Sequence, residues 1–365
     1  MSKTLQKNDK NGHKLQNSAE ESDIRLVLVA TNDCCLKCEY CIVPKSHDFM
    51  SWETLKKSTD FLFTSKKKNL QIHFFGGEPL MMPFDLMKKV IVYAKLKAQR
   101  CGKNVNFMIS TNGIPLNSEK IRFFSKFGVR LEFSIDGGPE TQNHNRPQKG
   151  LQKASYHLVI KHLPETIKAG VPLHASAVIT PSRARALVDD FLHLVNNLKF
   201  KEVFLMVACG LIWTDKDIEV FRNKLRELKP IYLKLLKERQ IILYNIYEWL
   251  PPFRINTEVV IDTDGRVYPA CCVVFLGDEK TKRKFVLGHI DKVAEEQKNT
   301  ADDICKKRLS NDFGMRILIE GKALETNIKA GDAMTDFVKD LSEAVKKNPK
   351  LYGIYSRKEQ KFEQI

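Results

Sequence analysis

A short loop near residue 34 carries the residues of this sequence that are best suited to metal chemistry. Cys34, Cys38 and Cys41 form a C-x3-C-x2-C array, and Cys35 adds a thiol next to the first. Three thiolates can bind three irons of a cubane cluster and leave one iron open to an exogenous ligand. A structural zinc site favours four closed ligands, and a ferredoxin-type run brings a fourth cysteine nearby, whereas none follows here before Cys101. The spacing predicts a [4Fe–4S] site, with Cys35, Cys38 and Cys41 as the alternative register.

Three glycine-rich or polar motifs follow the loop, each directly after a predicted strand. They are Gly76-Gly77-Glu78, Ser110-Thr111-Asn112-Gly113 and Ser134-Ile135-Asp136-Gly137. Paired glycines let backbone approach a ligand closely. The motif at Asn112 is equally typical of a turn in the left-handed conformation. Because ligands of parallel sheets bind beyond the carboxyl ends of the strands, the motifs predict one common site.

The order of these motifs resembles that of the radical SAM superfamily over roughly residues 24 to 208. Tyr40 stands between the last two cysteines, where the family usually has an aromatic residue. The resemblance implies that Cys34, Cys38 and Cys41 hold the [4Fe–4S] cluster and that S-adenosylmethionine chelates its open iron. It also implies reductive cleavage of this cofactor to a 5′-deoxyadenosyl radical, with an external electron donor of the flavodoxin or ferredoxin type. The implied contacts to S-adenosylmethionine come from Gly76, Gly77, Glu78, Ser110, Asn112 and Ser134.

Short β-branched or aromatic runs alternate with longer segments of helical period from residue 24 onward. Such an alternation builds a parallel sheet with right-handed crossovers. We therefore expect a partial (β/α)6 TIM-like barrel over residues 24–240, after a disordered tail over 1–23 that is too polar to offset the entropy of ordering. The predicted strands are 24–30, 70–75, 105–110, 130–135, 173–179 and 202–208, and the predicted helices are 52–66, 83–98, 118–127, 152–169, 183–198 and 215–239.

The pattern changes in residues 241–365, for which we predict a small β-hairpin unit followed by helices. Residues 258–262, 267–269 and 285–290 read as an antiparallel unit, and 291–309 and 331–347 as helical. The segment 261–290 resembles the start of the SPASM or twitch extension of peptide-modifying members such as anaerobic sulfatase maturases. Those extensions hold auxiliary clusters, for which Cys271, Cys272 and Cys305 are the candidate ligands here. Val293 stands where the next cysteine belongs, so one auxiliary cluster and a degenerate hairpin with buried cysteines are both open.

Composition leaves three functions to compare. The extension favours a radical enzyme that acts on a peptide or protein, whereas the net charge of +16 favours an RNA-modifying one. The lysines are dispersed along predicted helices without interleaved aromatic residues, which favours a solvated surface. A non-catalytic iron–sulfur or zinc scaffold is the third alternative. The odd number of cysteines, nine, and the absence of a signal peptide or membrane-length apolar run predict a cytoplasmic protein with no membrane partner. No catalytic acid, base or radical relay is assigned.

Overall fold

The computed structural model describes residues 24–150, 154–238, 240–241, 258–269, 271–275, 279–295, 300–306 and 321–348. The predicted tail, 1–23, lies outside them. Six strands form the core of one sheet: β1 (Ile24–Thr31), β2 (Asn69–Gly76), β3 (Asn104–Thr111), β4 (Arg130–Ser134), β5 (Leu173–Ile179) and β6 (Val203–Val207). They are all parallel and lie side by side in chain order. The sheet stays open among the described strands, so the predicted α/β class and partial TIM-like barrel are confirmed.

Helices connect these strands. They are α1 (Trp52–Leu62), α2 (Phe84–Cys101), α3 (Ser118–Phe127), α4 (Pro139–Asn145), α5 (Tyr156–Val159), α6 (Leu163–Lys168), α7 (Leu187–Leu192) and α8 (Asp215–Lys237). The helix predicted over 152–169 is wrong as one element, because Pro164 opens a new helix, α6, in whose first turn its missing N–H costs nothing. The helix predicted over 183–198 is a 3-10 turn, α7 and a π turn in succession. The short helix α4 was not predicted.

Each strand divides its side chains between two faces, as the period of two requires. In β3, Phe107 and Ile109 pack into the main apolar core with the helices. Met108 and Ser110 point the other way, into the lumen of the open barrel. The lumen therefore contains the alternate positions of every strand, and these include several polar residues.

The last third of the chain extends the same sheet. Strand β7 (Glu258–Ile261) pairs in parallel with β1, and β8 (Arg266–Tyr268) and β9 (Gly288–His289) follow as antiparallel neighbours. The predicted antiparallel unit is confirmed, but the pairing of β7 with β1 was not predicted. A second apolar cluster, in which Val29, Val260, Tyr268 and Phe275 are buried, covers this part of the lumen face.

The remaining helices are α9 (Cys271–Val274), α10 (Glu279–Arg283), α11 (Ile290–Glu295), α12 (Ala301–Lys306) and α13 (Gly321–Lys347). Helix α13 packs on α8, and Asn327 joins it to the end of the barrel by accepting from Gly210 N at 3.1 Å and donating to Leu211 O at 2.6 Å. The division between residues 240 and 241 stays a prediction. None of the helices described for this chain is long and apolar enough to cross a membrane.

Candidate active site

The cysteine loop leaves β1 and is fixed by backbone hydrogen bonds to the segment that follows α4. Lys37 N donates to Pro147 O and Glu39 N donates to Asn145 O, both at 2.9 Å. Lys149 N donates in turn to Cys35 O at 2.9 Å. These bonds hold the cysteine loop, which has no helix or strand of its own, against residues 145–149.

The thiols of the loop differ in their surroundings. Cys34 is buried, Cys35 and Cys38 are half-buried, and Cys41 is exposed. Hydrogen bonding from Cys35 holds the pKa of Cys34 below its ordinary value. Burial raises the pKa of Cys38 to about 11. Since the thiolate is the form that binds metal, the lowered pKa of Cys34 favours its role as a ligand.

Asn112, at the end of β3, contacts this loop directly. Its Nδ2 donates to Cys35 Sγ at 3.4 Å and lies 3.8 Å from Cys34 Sγ. Lys45 Nζ donates to the exposed Cys41 Sγ at 3.2 Å. Donors of this kind stabilise thiolates and the sulfurs of bound clusters. Asn112, a predicted site residue that follows β3, therefore contacts the cysteine loop that follows β1.

The donor set fits a cluster better than a single ion. Among the residues described, no group of three or more Cys, His, Asp or Glu side chains is placed to hold one metal ion. In a cubane each thiolate binds a different iron, so the ligands of a cluster lie farther apart. Arg146 Nε is also buried without a hydrogen-bond partner in this part of the chain, and its charge lowers the pKa of both Cys34 and Cys38. An anionic cluster on these thiolates would be stabilised by that charge.

A buried network around Asp136 anchors the loop. Asp136 Oδ2 accepts from Tyr40 Oη at 2.7 Å and from Asn145 Nδ2 at 3.1 Å. Its Oδ1 accepts from Val178 N and pairs with Arg146 Nη2, both at 2.9 Å. The guanidinium of Arg146 also lies 5.3 Å from the centre of the Tyr40 ring. The loop, the end of β4 and the end of β5 are therefore joined through one carboxylate.

The two glycines after β2 are required by their contact with the cysteine loop. Gly77 N donates to Thr31 O at 2.8 Å. A Cβ atom at Gly76, whose φ is 123°, would lie 2.3 Å from Thr31 O, and one at Gly77 would lie 2.1 Å from Asp33 O. No other residue type fits either position without moving the backbone that leads into the cysteines.

Glu78 links the ends of two strands. It is buried, and its carboxylate accepts from Thr111 Oγ1 at 2.8 Å, Asn112 N at 2.7 Å and Leu80 N at 3.1 Å. Burial raises its pKa to about 7, although the three donors oppose this shift. Glu78 therefore fixes the backbone of Asn112, the residue that contacts the cysteines.

Ser110 and Ser134 line the lumen at different depths. Ser134 ends β4 and lies beside Ser176 of β5. Ser110 lies one layer below Asn112 and bonds to His73 and Glu132. Neither His73 nor Glu132 was predicted. The available signal was a polar residue at a lumen position between apolar ones, as in the Leu-Glu-Phe run of β4.

The predicted auxiliary ligands remain untested. The side chains of Cys271, Cys272 and Cys305 lie outside the described residues, so their role stays a prediction. Val293 packs against the main core, close to Gly288.

Comparison with known proteins identifies the family. The model of the radical SAM superfamily matches residues 28–225, which is more than half of the chain. The chain therefore belongs to the radical SAM superfamily and is a radical SAM enzyme, which confirms the resemblance found in its motifs.

Two relatives give a narrower likeness. A cysteine-type anaerobic sulfatase-maturating enzyme of Clostridium novyi is 23% identical over 297 residues, which are 73% of this chain and 76% of that enzyme. An uncharacterized protein of Methanocaldococcus jannaschii is 28% identical over 225 residues, or 59% of this chain and 75% of that protein.

Solved structures share the fold. Native anSMEcpe with bound AdoMet and Cp18Cys peptide has a TM-score of 0.69 and 18% identity, and the match covers 91% of this chain and 99% of that one. Streptococcus suis SuiB bound to precursor peptide SuiA has a TM-score of 0.53 and 12% identity, with 88% and 80% covered.

Proposed function

We propose that this protein reductively cleaves S-adenosylmethionine at a [4Fe–4S] cluster held by Cys34, Cys38 and Cys41, and uses the radical to modify a peptide or protein side chain. The observation that carries the proposal is the meeting of the cysteine loop with the glycine pair after β2 and with Asn112 after β3. Family membership supports the first half. The peptides bound in the anSMEcpe and SuiB structures support the second.

The residues of the chain would bind, orient and shield the reactants. Asn112 and Lys45 donate to cysteine sulfurs, and Asp136 holds the loop through Tyr40. The bound cluster and cofactor supply one-electron transfer and a carbon radical, which is the chemistry that a cofactor brings to its protein. We propose cofactor contacts from Gly76, Gly77, Glu78, Ser110, Asn112 and Ser134. An external flavodoxin or ferredoxin would supply the electron.

A peptide is favoured over RNA because many surface lysines are engaged with acidic side chains. Lys56 pairs with Asp60 at 2.8 Å, and Lys57 pairs with Asp291 at 2.8 Å. Dispersed pairs of this kind do not form the continuous basic surface that a phosphate backbone requires. RNA would be indicated by a binding constant that falls steeply with salt.

The test is cofactor cleavage by protein reconstituted with iron and sulfide under anaerobic conditions. With dithionite, the parent protein is expected to convert S-adenosylmethionine to 5′-deoxyadenosine and methionine, measured by liquid chromatography. Alanine at Cys34, Cys38 or Cys41 should abolish the product and remove about four irons per chain. Cys35→Ala is the matched control and should retain them. A loaded, folded protein that makes no 5′-deoxyadenosine overturns the proposal and favours the non-catalytic scaffold.

The same preparation decides the auxiliary cluster. A single cluster gives about four irons per chain and two clusters give about eight. We propose one auxiliary cluster at most, bound through Cys271, Cys272 and Cys305. If the parent protein binds about eight irons per chain, alanine at any of these three cysteines should lower the iron content by half. An unchanged iron content in these variants excludes the site.

A further inference from the structure

One carboxylate in the barrel lumen has a free oxygen. Glu132 Oε2 accepts from Ser110 Oγ at 2.8 Å. No described residue donates to Oε1, and the side chain keeps 17% of its surface exposed. Because Glu132 is a lumen position of β4, this exposed oxygen points into the space that the strands enclose.

The position of Glu132 places it at the depth of Ser110, one of the proposed cofactor contacts, with which it is paired in register. Asn112 and Ser134 each lie two residues farther along β3 and β4. Two residues of strand span roughly 7 Å. A group bound at Glu132 would therefore lie one side-chain layer deeper in the lumen than Asn112 and Ser134, beside a residue that is proposed to contact the cofactor.

The hydrogen bonds around Glu132 fix its charge and its direction. Ser110 has a single hydroxyl proton, which it donates to Glu132, so His73 Nε2 must carry the proton that bonds to Ser110 Oγ at 2.7 Å. Burial holds the pKa of His73 well below its usual range, and the charge of Arg25 acts in the same direction. His73 is thus a neutral donor, and it does not act as a counter-ion for Glu132.

No lysine or arginine of the described chain lies within ion-pair distance of Glu132. His73 Nε2 lies 3.7 Å from Oε2 but is neutral, and no lysine or arginine there forms an ion pair with this carboxylate. Arg130, on the same strand, pairs with Glu202. A partly buried carboxylate without a counter-charge is a binding site for a cationic donor.

The lumen face two strands from Glu132 is apolar. Phe75 of β2 is half-buried and contacts the His73 ring at 5.4 Å and the Phe275 ring at 5.8 Å. Phe75 also packs against the second apolar cluster, on the lumen face of β1, β7 and β8. An apolar surface in the same layer as a carboxylate suits a side chain with an aliphatic stem and a cationic end.

We propose that Glu132 binds the ammonium or guanidinium group of a lysine or arginine at the target position of the substrate peptide. This inference rests on the proposed function, which it deepens by naming the substrate class. Ser110 and His73 are positioning residues, because they orient the carboxylate and leave Oε1 for the substrate. A serine or cysteine target would contact Glu132 with one neutral donor and is too short to cover the apolar surface of Phe75.

The test measures peptide binding without any turnover. Fluorescein-labelled pools of short random peptides share one fixed central residue, which is lysine, norleucine, serine or cysteine. Each pool is titrated with reconstituted protein and S-adenosylmethionine, without reductant, and anisotropy gives the dissociation constant. The lysine pool is expected to bind about tenfold more tightly than the norleucine pool, as one charged hydrogen bond allows.

Two variants separate this role from a structural one. Glu132→Gln should reduce the preference for lysine to less than about twofold, while the norleucine pool binds as before. Glu119→Gln, on the exposed face of α3 where the carboxylate bonds to Lys88 at 3.1 Å, is the matched control and should keep the full preference. If Glu132→Gln does not fold, Ser110→Ala decides, because the carboxylate then loses the hydrogen bond that orients it and the preference for lysine should fall.

Several results would overturn the inference. These are equal binding of the lysine and norleucine pools, serine or cysteine pools that bind as tightly as lysine, a preference that survives Glu132→Gln, and an unchanged preference in Ser110→Ala. Cleavage of S-adenosylmethionine is measured separately with dithionite. Cleavage without a lysine preference rejects Glu132 as the anchor only, whereas a loaded protein without cleavage rejects the proposed function.

Discussion

Replacement of Asp136 by asparagine should destabilise the protein by about 3 to 5 kcal/mol, the usual cost of breaking a buried ion pair by removing one partner. The Asp136 side chain has no exposed surface, and that of its partner Arg146 is 8% exposed. An asparagine in the present orientation would turn its amide towards Tyr40 Oη and Asn145 Nδ2, which are both donors. The charge of Arg146 would then be buried without compensation.

Two further variants test how this free energy of unfolding is distributed among the contacts of Asp136. Tyr40→Phe removes one of the four hydrogen bonds to the carboxylate and should cost about 1.5 kcal/mol, the lower end for a bond to a charged group. The double variant Asp136→Ala/Arg146→Met should be more stable than Asp136→Ala alone, because it also removes the stranded charge.

Urea denaturation of the cluster-free, reduced protein gives these free energies. Without a cluster the two-state treatment is better justified, and an unchanged slope shows that only stability has changed. Glu140→Gln is the control, since the Glu140–Arg183 pair has the same chemistry with an exposed carboxylate and should leave the midpoint unchanged. A loss below about 1 kcal/mol for Asp136→Asn, or a double variant no more stable than Asp136→Ala, would refute the reasoning.

Three other changes have clear expected results. Gly77→Ala places a Cβ 2.1 Å from Asp33 O, so we expect a loss of about 3 kcal/mol or more in urea denaturation and less iron bound on reconstitution. Glu78 has a folded-state pKa of about 7, above the ordinary carboxyl value near 4.5, so its contribution to stability is lost as the pH rises between these values. Glu78→Gln should remove that loss, so urea midpoints that show the same pH dependence in both proteins would contradict the assignment. Asn327→Ala breaks the bonds to Gly210 and Leu211 and should cost about 1 kcal/mol without changing the bound iron.

The sequence predicted the barrel strands well because their apolar runs are short, regular and bounded by turn residues. The strand 173–179 is exact, and α3 matches its predicted bounds. These elements are specified by local pattern, which needs no knowledge of neighbours. The helix predicted over 152–169 was wrong where Pro164 interrupts the helical period, because a proline in the first turn begins a new helix. The helix predicted over 183–198 was wrong because its first and last turns are 3-10 and π turns, which a helical period does not distinguish from α-helix.

Contacts between distant segments were not predictable from one sequence. The sequence indicated that the glycine pair lets backbone approach a ligand. In the structure, Gly77 is required because Asp33 O lies too close to leave room for a Cβ atom. Glu78 looked like a free carboxylate, but it also holds Asn112 N. Each of these facts depends on strand register, which a periodic pattern does not define between strands.

The lumen network illustrates the same limit. The residues His73, Ser110 and Glu132 belong to three strands, and each alone is an ordinary polar residue in an apolar run. Only the pairing of Ser110 with Glu132 brings their side chains together. A polar residue at a lumen position was visible in the sequence, but its partner was not.

The pairing of β7 with β1 also has a consequence for biosynthesis. Arg25 of β1 lies beside Glu258 of β7, so the strand that leads into the cysteine loop lacks one neighbour until the last third of the chain has been translated. At typical elongation rates, the time between the synthesis of β1 and the synthesis of β7 is roughly 10 to 50 s. During that time β1 is an open edge next to reduced thiols, exposed to aggregation and to oxidation. Cluster insertion in the cell is therefore expected to follow completion of the chain, and fragments that end before β7 should be poor acceptors of iron and sulfide.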